Sequence, residues 1–317
     1  MSDMADGPQR VPVTLSKQKP VSRLTGSRTR KVSPRGWYQD SINMQRWVPT
    51  IYNSFGLPAH TSCPGSTPFC DNYCYAARLE GQDRVKKLLL RNYRLLQEAS
   101  TIEGKVVLLR EMIYRYCRQA DQQKLTRTER IFRIHWDGDF DSLDYASAWA
   151  VVIRDNPGIS FWVYTRSFTS ELNVVPLLSN IPNLAFYLSV DEYNFTRSQE
   201  VLIENPNLRV AWCAVDYRSA RELAQQASRR VVYCPENRGT IDLMSYQEKA
   251  ASGQGACITC GICPKGLNDI MFSTSHREDV LGGQQIFQWE VLPPPSQNYQ
   301  IKASFNCDAF CSGNWMV

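Results

Sequence analysis

The sequence has no long apolar run. Its longest unbroken apolar stretches, Ala148 to Ile153 and Val210 to Val215, are far shorter than the roughly 18 residues that a membrane-spanning helix needs. The N-terminus also lacks an apolar core followed by a cleavage site, so it does not read as a secretion signal. We therefore expect a cytoplasmic protein that has no membrane partner.

Several common enzyme motifs are absent as well. The sequence has no P-loop, no Rossmann glycine fingerprint and no arrangement typical of a catalytic triad, and it contains only three histidines. These absences argue against a P-loop nucleotide hydrolase, a dinucleotide-dependent dehydrogenase and a triad hydrolase. The chemistry must be sought among the cysteines and the charged residues.

Acidic residues are missing from one long segment. Residues 7–35 contain eight Lys or Arg and no Asp or Glu, whereas the whole chain has a net charge of +5. The rest of the chain is therefore slightly acidic, and the basic character belongs to the N-terminus. This segment is rich in Ser, Thr, Pro and Gly, which predicts a disordered basic arm over residues 1–36. Such an arm can bind nucleic acid by neutralising phosphates, or it can be a solubilising leader without a partner.

Cysteine, by contrast, is abundant. The chain has 11 cysteines, an odd number, and eight of them lie in groups of two or three. A chain of 317 residues without a secretion signal does not need a disulfide framework. The grouping therefore favours metal ligation in a reducing compartment.

Beyond Trp37 the apolar pattern predicts alternating strands and helices. A first strand is expected at residues 47–52, followed by three closely spaced cysteines and two helices. Later strands begin every 23 to 29 residues, which favours a parallel sheet with right-handed crossovers. The predicted later strands are 131–136, 160–165, 184–190, 208–215 and 231–234, and the predicted helices are 83–99, 103–120, 143–154, 170–179, 195–204 and 217–228.

Six strand units are fewer than the eight of a closed TIM barrel. We therefore predict an α/β fold, a partial (β/α)6 TIM-like barrel over residues 37–236, with a cysteine-rich metal-binding extension over residues 237–317. Functional groups gather at the carboxyl ends of parallel strands in such folds. Three polar residues at predicted strand ends, Arg166, Ser189 and Asp191, are therefore candidates for cofactor contacts.

Cys63, Cys70 and Cys74 form a C-x6-C-x3-C loop just after the first predicted strand, with Tyr73 directly before the last cysteine. Three thiolates leave one corner of a four-iron cluster without a protein ligand, so that iron is open to a small molecule. Zinc is the alternative metal, with His60 as the nearest fourth ligand.

The order of strand, three-cysteine loop, helix, strand and Gly/acid turn resembles the radical S-adenosylmethionine (SAM) superfamily, which has a partial (β/α)6 barrel. The usual loop of that superfamily is C-x3-C-x-aromatic-C, so the spacing here is longer. The resemblance implies a 4Fe–4S cluster on the three cysteines and reductive cleavage of SAM to a 5′-deoxyadenosyl radical. It also implies that Gly138 and Asp139, in HWDGDFDS, meet the SAM amine. An electron donor such as a flavodoxin or ferredoxin would then be a partner.

A second group, Cys257, Cys260 and Cys263, has the spacing C-x2-C-x2-C. This run is similar to the first three positions of a bacterial ferredoxin motif, and it needs a remote fourth ligand. Cys234, at the end of a predicted strand, is the leading candidate, and Cys307 or Cys311 could replace it. The metal at this second site is either an auxiliary 4Fe–4S cluster or zinc.

The segments CPGSTPFCDNYCYA, RIHWDGDF and CITCGIC are also similar to the gene product 88 family of bacteriophages, and this resemblance covers residues 50–275. It implies a phage origin, and hence the cytoplasm of the host cell, but it implies no reaction. Two hypotheses remain. The first is a radical SAM enzyme with an unknown substrate, for which nucleic-acid modification is one candidate activity. The second is a nonenzymatic zinc or iron–sulfur protein that binds nucleic acid.

Overall fold

The helices and strands belong to a computed structural model that describes residues 23–34, 37–39, 47–49, 51–241 and 255–274. In chain order the elements are β1 (Trp37–Gln39), β2 (Trp47–Pro49), α1 (Pro68–Tyr73), α2 (Tyr75–Leu79), α3 (Asp83–Glu98), α4 (Ile102–Gln122), β3 (Ile131–Arg133), α5 (Leu143–Arg154), β4 (Ser160–Thr165), α6 (Val175–Leu178), β5 (Leu184–Val190), α7 (Phe195–Glu204), β6 (Arg209–Ala214), α8 (Tyr217–Gln226), β7 (Val231–Tyr233), α9 (Ala256–Cys260) and β8 (Asp269–Ser273).

Strands β3 to β8 form one sheet in the order β3-β4-β5-β6-β8-β7. Every neighbouring pair in it is parallel, as the alternation of strands and helices predicts. The sheet is not closed into a barrel, because β3 and β7 stand at opposite ends of the strand order and no ladder joins them within the described residues. The fold is therefore an α/β fold with an open parallel sheet.

Strand β8 differs most from the sequence prediction. The sequence pattern places residues 269–273 in a separate C-terminal extension, yet β8 lies between β6 and β7 and pairs with both. Asp269 anchors β8, since its carboxylate accepts hydrogen bonds from the Val210 amide at 3.1 Å and from Nε of Arg229 at 2.5 Å. A boundary at residue 236 therefore cuts through the sheet. These contacts are distant in sequence, so local periodicity could not reveal them.

The two faces of the sheet bury different sets of side chains. Along β4, Phe161 and Val163 belong to a large core shared with the helices. Trp162, between them, points to the opposite face and belongs to a smaller cluster with Tyr187 and Cys263. We call this second side the cysteine face. Alternation along a strand produces both clusters, because successive side chains point to opposite sides.

Helix α4 is a typical amphipathic member of the helical layer. Thr101 begins the helix by accepting the Gly104 amide at 3.1 Å, and Leu109, Ile113 and Tyr116 are buried against the core. None of the helices in the described part of the chain combines the length and the apolar character that crossing a membrane requires.

The segment before the cysteine loop also differs from its prediction. The strand expected at residues 47–52 is shorter, and β2 pairs with β1 in a separate antiparallel ladder. The segment that meets the large sheet comes later, where Ser54 forms a parallel bridge with Arg133 and the Phe55 amide donates to the Arg133 carbonyl at 3.0 Å. The cysteine loop therefore starts at the β3 edge of the sheet.

Part of the predicted disordered arm packs onto this body. Leu24 and Val32 are fully buried. Asn53 anchors the segment, because its Oδ1 accepts the Thr29 amide at 2.8 Å and its Nδ2 donates to the Val32 carbonyl at 3.0 Å. The composition of this segment predicted disorder. Hydrogen bonds to residues distant in sequence nevertheless hold it against the body, with Leu24 and Val32 buried. Residues 1–22 lie outside the described residues.

Candidate functional site

Local capping positions two of the three loop cysteines. Thr67 begins α1, since its hydroxyl accepts the Cys70 amide at 3.2 Å. Cys74 ends α1 and begins α2, because its sulfur accepts the Ala77 amide at 3.4 Å. Cys70 therefore lies inside α1 and Cys74 at the junction of two helices, so both sulfurs are held by regular backbone.

Two glycines allow the loop to pack closely on its neighbours. A Cβ at Gly65 would lie 2.0 Å from the carbonyl oxygen of Arg166. Gly138 has a φ of 76°, and a Cβ there would lie 2.5 Å from the Ser62 hydroxyl and 2.8 Å from the Leu57 carbonyl. Gly138 was predicted to approach SAM. In the structure, the absence of a Cβ at Gly138 allows Leu57 and Ser62, at the start of the cysteine loop, to pack against its backbone. A contact with SAM stays a prediction.

Gly65→Ala should therefore disturb the loop. The added methyl group meets backbone atoms, which cannot rotate away, so we expect a loss of about 1–3 kcal/mol of unfolding free energy. Gly158→Ala is the matched control, because a Cβ at Gly158 has no atom within 4 Å. Urea unfolding of both variants measures the difference. Equal stability of the two would contradict the close packing of the loop against β4.

The three loop thiols are electrostatic neighbours. A hydrogen bond from Cys74, helped by the charge of Arg166, lowers the pKa of Cys70 to about 6, and the same bond raises the pKa of Cys74. Burial and the Asp139 carboxylate raise the pKa of Cys63. Ligation requires thiolates, so a metal bound by this loop would displace protons from Cys63 and Cys74.

Arg166 and Asp191, two of the predicted cofactor contacts, form a buried ion pair. Thr67 completes a triangle with them, since its hydroxyl donates to Asp191 at 2.6 Å and accepts from Arg166 at 3.1 Å. The other Asp191 oxygen accepts the Tyr193 amide at 2.9 Å. This network joins the ends of β4 and β5 to the cysteine loop. Arg166 and Asp191 thus position the loop, and their contact with a cofactor stays a prediction.

The carboxylate of Asp139 is also hydrogen-bonded within the protein. Its carboxylate accepts three hydrogen bonds, from the Arg166 amide at 2.6 Å, the Thr165 hydroxyl at 2.7 Å and the Phe140 amide at 2.8 Å. These bonds tie the turn after β3 to the end of β4. A SAM amine at Asp139, as the resemblance implies, would have to compete with them.

Asp137 is the acid that sequence reasoning missed. It is only 2% exposed, and within the described structure its carboxylate has no close hydrogen bond, although the Gly138 amide and the Glu80 side chain lie near enough to act on it. Burial and the nearby carboxylate of Glu80 raise its pKa to about 8. It also acts electrostatically on Cys63. Sequence periodicity could not tell which of the two acids flanking Gly138 is strongly hydrogen-bonded within the protein.

The remaining predicted residues take different positions. His60, the candidate zinc ligand, directs its Nδ1 to Asp71 at 3.1 Å, and both side chains are about half exposed. Ser189 lies on β5 with its hydroxyl 3.7 Å from the sulfur of Cys213 on β6. Cys213 acts electrostatically with Cys70, so a thiol that reads as a small apolar residue in the sequence lies near the loop.

The second cysteine group gathers at the cysteine face. Cys263 interacts electrostatically with Cys257, Cys234 and Cys260, so the structure brings together the four residues that the sequence grouped. Burial raises the pKa of Cys257 to about 12. Their role as ligands stays a prediction. Cys307 and Cys311, the alternative fourth ligands, lie outside the described residues.

Neither group is a finished metal site. Among the described residues, no three His, Cys, Asp or Glu side chains are arranged so that they could hold a metal ion as they stand. The donor chemistry nevertheless suits metals that prefer sulfur, because each group supplies thiols only. Three thiols in one loop suit a cluster with an open iron, and four suit either zinc or a closed cluster.

Comparisons with known proteins agree with the resemblance to the gene product 88 family. A family model described as gene product 88 matches residues 19–266, a range that includes both cysteine groups. The gene 88 protein of Mycobacterium phage L5 is 38% identical over 230 residues, which make up 72% of this chain and 89% of that relative. The gene 88 protein of Mycobacterium phage D29 is 37% identical over 231 residues, with the same two shares. No solved structure matches. The chain therefore belongs to the gene product 88 family.

Proposed function

We propose that this chain is an iron–sulfur enzyme of the radical SAM type, with a 4Fe–4S cluster on Cys63, Cys70 and Cys74. One observation carries the proposal: three neighbouring thiols from one loop lie beside Asp137, a buried acid with a raised pKa and no close hydrogen bond in the described structure. Three sulfurs leave one iron of such a cluster open. With SAM bound there, a reduced cluster would supply the electron for reductive cleavage of SAM to a 5′-deoxyadenosyl radical.

The protein's own groups would hold and orient the reactants. Arg166 helps to keep Cys70 a thiolate, which favours ligation. Asp137 is our candidate for the ammonium group of SAM, in place of Asp139, because Asp139 accepts three close hydrogen bonds whereas Asp137 accepts none within the described residues. A bound ammonium would lower the pKa of Asp137 from about 8 and keep the carboxylate ionised.

The proposal also requires partners. A cluster of this type must be reduced before it acts, so a flavodoxin or ferredoxin is the proposed electron donor. The substrate would bind at the carboxyl ends of the strands, above the cysteine loop. Phage nucleic acid is the substrate class we favour, and its modification is the proposed reaction class.

Anaerobic purification tests the metal and the cofactor together. We expect a brown protein with iron and acid-labile sulfide, which forms 5′-deoxyadenosine from SAM under a strong reductant. Asp137→Asn should weaken SAM binding about 10- to 100-fold, because a charge-assisted hydrogen bond is worth about 1.5–3 kcal/mol. Asp144→Asn, the same change at an exposed position in α5, is the matched control and should bind SAM normally.

Two results would oppose the proposal. Stoichiometric zinc, with neither iron nor sulfide after reconstitution, would leave the nonenzymatic zinc protein as the better description. The four thiols at the cysteine face favour that alternative, since a closed set of four cysteines is a common zinc site. A loaded, reducible cluster whose spectrum does not change when SAM is added would instead exclude SAM as the cofactor. The assignment of the cluster itself would then stand.

A further inference from the structure

We infer that the exposed face of α3, together with Arg23, binds the phosphate backbone of a nucleic acid. This inference concerns a surface that is separate from both cysteine groups. It does not depend on which metal, if any, the cysteines hold.

The face has a regular arrangement of charge. Between Arg84 and Arg94 the helix carries five Lys or Arg residues and no Asp or Glu. Four of them, Arg84, Lys87, Arg91 and Arg94, follow the spacing of three and four residues that puts side chains on one side of a helix, and all four are exposed. At 1.5 Å per residue the row is about 15 Å long, enough to follow several phosphates of one strand.

These cations are largely free to meet a ligand. Within residues 51–241, Arg84 and Lys87 form no salt bridge, while Arg94 has only an exposed partner, Glu98, at 3.5 Å. Asp83 and Glu98 stand at the two ends of the helix, so the charges between them are uninterrupted. An ordinary solvated helix usually mixes both signs of charge, whereas this face presents one.

The N-terminal segment extends the basic surface. Arg91 donates to the Thr25 hydroxyl at 3.0 Å, which brings residues 23–25 against α3. Arg23 and Arg91 both act electrostatically on Arg115, so these three cations are close together, and one acid lies among them: Glu111, 3.7 Å from Arg23 and 4.0 Å from Arg115. The three cations outnumber this acid, so the surface beside α3 keeps a net positive charge that attracts a polyanion.

The position of α3 relates this surface to the cysteine loop. Asn92 donates to the Gly56 carbonyl at 3.4 Å, just before the loop, and Gln97 donates to Asp141 at 2.6 Å, just after the turn that follows β3. The helix therefore lies alongside the candidate site. A nucleic acid on its exposed face would pass next to the loop.

Binding of a short DNA duplex, and of the same sequence as a single strand, tests the inference over a range of salt concentrations. The triple variant Arg84→Gln, Lys87→Gln and Arg94→Gln should bind at least about tenfold more weakly at low salt. The slope of log affinity against log salt should become shallower by about 2 to 3, since three phosphate contacts are lost. Arg84→Lys with Arg94→Lys keeps the charge and should keep the binding.

The matched control removes three charges elsewhere, by Arg118→Gln, Lys124→Gln and Arg127→Gln, which are exposed around the end of α4. Circular dichroism checks that both triples fold. An equal loss of DNA affinity in both triple variants would show that only net charge matters, and it would overturn the inference. Unchanged affinity in the α3 triple variant would overturn it as well. So would a wild-type chain that binds neither the duplex nor the single strand. Poly-glutamate that displaces DNA at equal charge would overturn it too, by pointing to an acidic protein partner instead.

Discussion

Replacing Cys63, Cys70 and Cys74 together by Ala should remove the iron of one cluster, about four atoms per chain, and abolish SAM cleavage. The reason is the position of these thiols: they lie in a partly exposed loop at the β3 edge, so their loss empties an open site without removing core. The free energy of unfolding of the metal-free protein should change little. Iron, sulfide and 5′-deoxyadenosine are measured on the same anaerobic preparation.

Replacement of the second cysteine group should have a different effect, because it should lower stability. Cys257, Cys260 and Cys263 pack on the cysteine face, where Cys263 is only 6% exposed, so their replacement by Ala should lower stability because a closed metal site contributes to folding. The loop cluster and slow SAM cleavage should survive in the fraction that folds. Cys117→Ala, in α4, controls for the loss of a thiol. If both triples lost the same metal and the same activity, the two sites would not have separate roles.

Asp269→Ala should destabilise the sheet strongly, by about 3–5 kcal/mol of unfolding free energy. Asp269 is 3% exposed and binds Arg229 through two nitrogens, at 2.5 and 2.9 Å. Removing the carboxylate leaves the Arg229 guanidinium without its counter-charge. This guanidinium also donates to the Leu208 carbonyl at 2.6 Å, so it stays in place. Chemical denaturation measures the loss.

The control for this prediction is an ion pair of similar length on the surface. Asp155 accepts from Arg110 at 2.5 Å, but both side chains are about half exposed, so Asp155→Ala should cost less than about 1 kcal/mol. Replacing Asp269 and Arg229 together by Leu should recover part of the stability, because no unpaired charge then remains. Similar losses for Asp269→Ala and Asp155→Ala would show that β8 is not held by its buried ion pair.

Local pattern predicted much of the fold. Strands β4 and β5 and helices α5 and α7 have the bounds that periodicity indicated, because each is long enough for its apolar spacing to be read without its neighbours. The cysteine spacing also predicted two groups, and the position of Cys234 at the end of a predicted strand associated it with the C-terminal run. Family membership was recognisable from the same motifs.

The amino-acid sequence by itself determined the parallel α/β class and the two sets of thiols, since both are properties of short segments. Only the tertiary structure decided the place of β8, which depends on Asp269 meeting Arg229 forty residues away. It also decided which acid beside Gly138 is less strongly hydrogen-bonded: donors from the end of β4 bind Asp139, whereas Asp137 has no close hydrogen bond within the described residues. In each case the deciding contact joins segments far apart in the chain, and such contacts leave no periodic trace in the sequence.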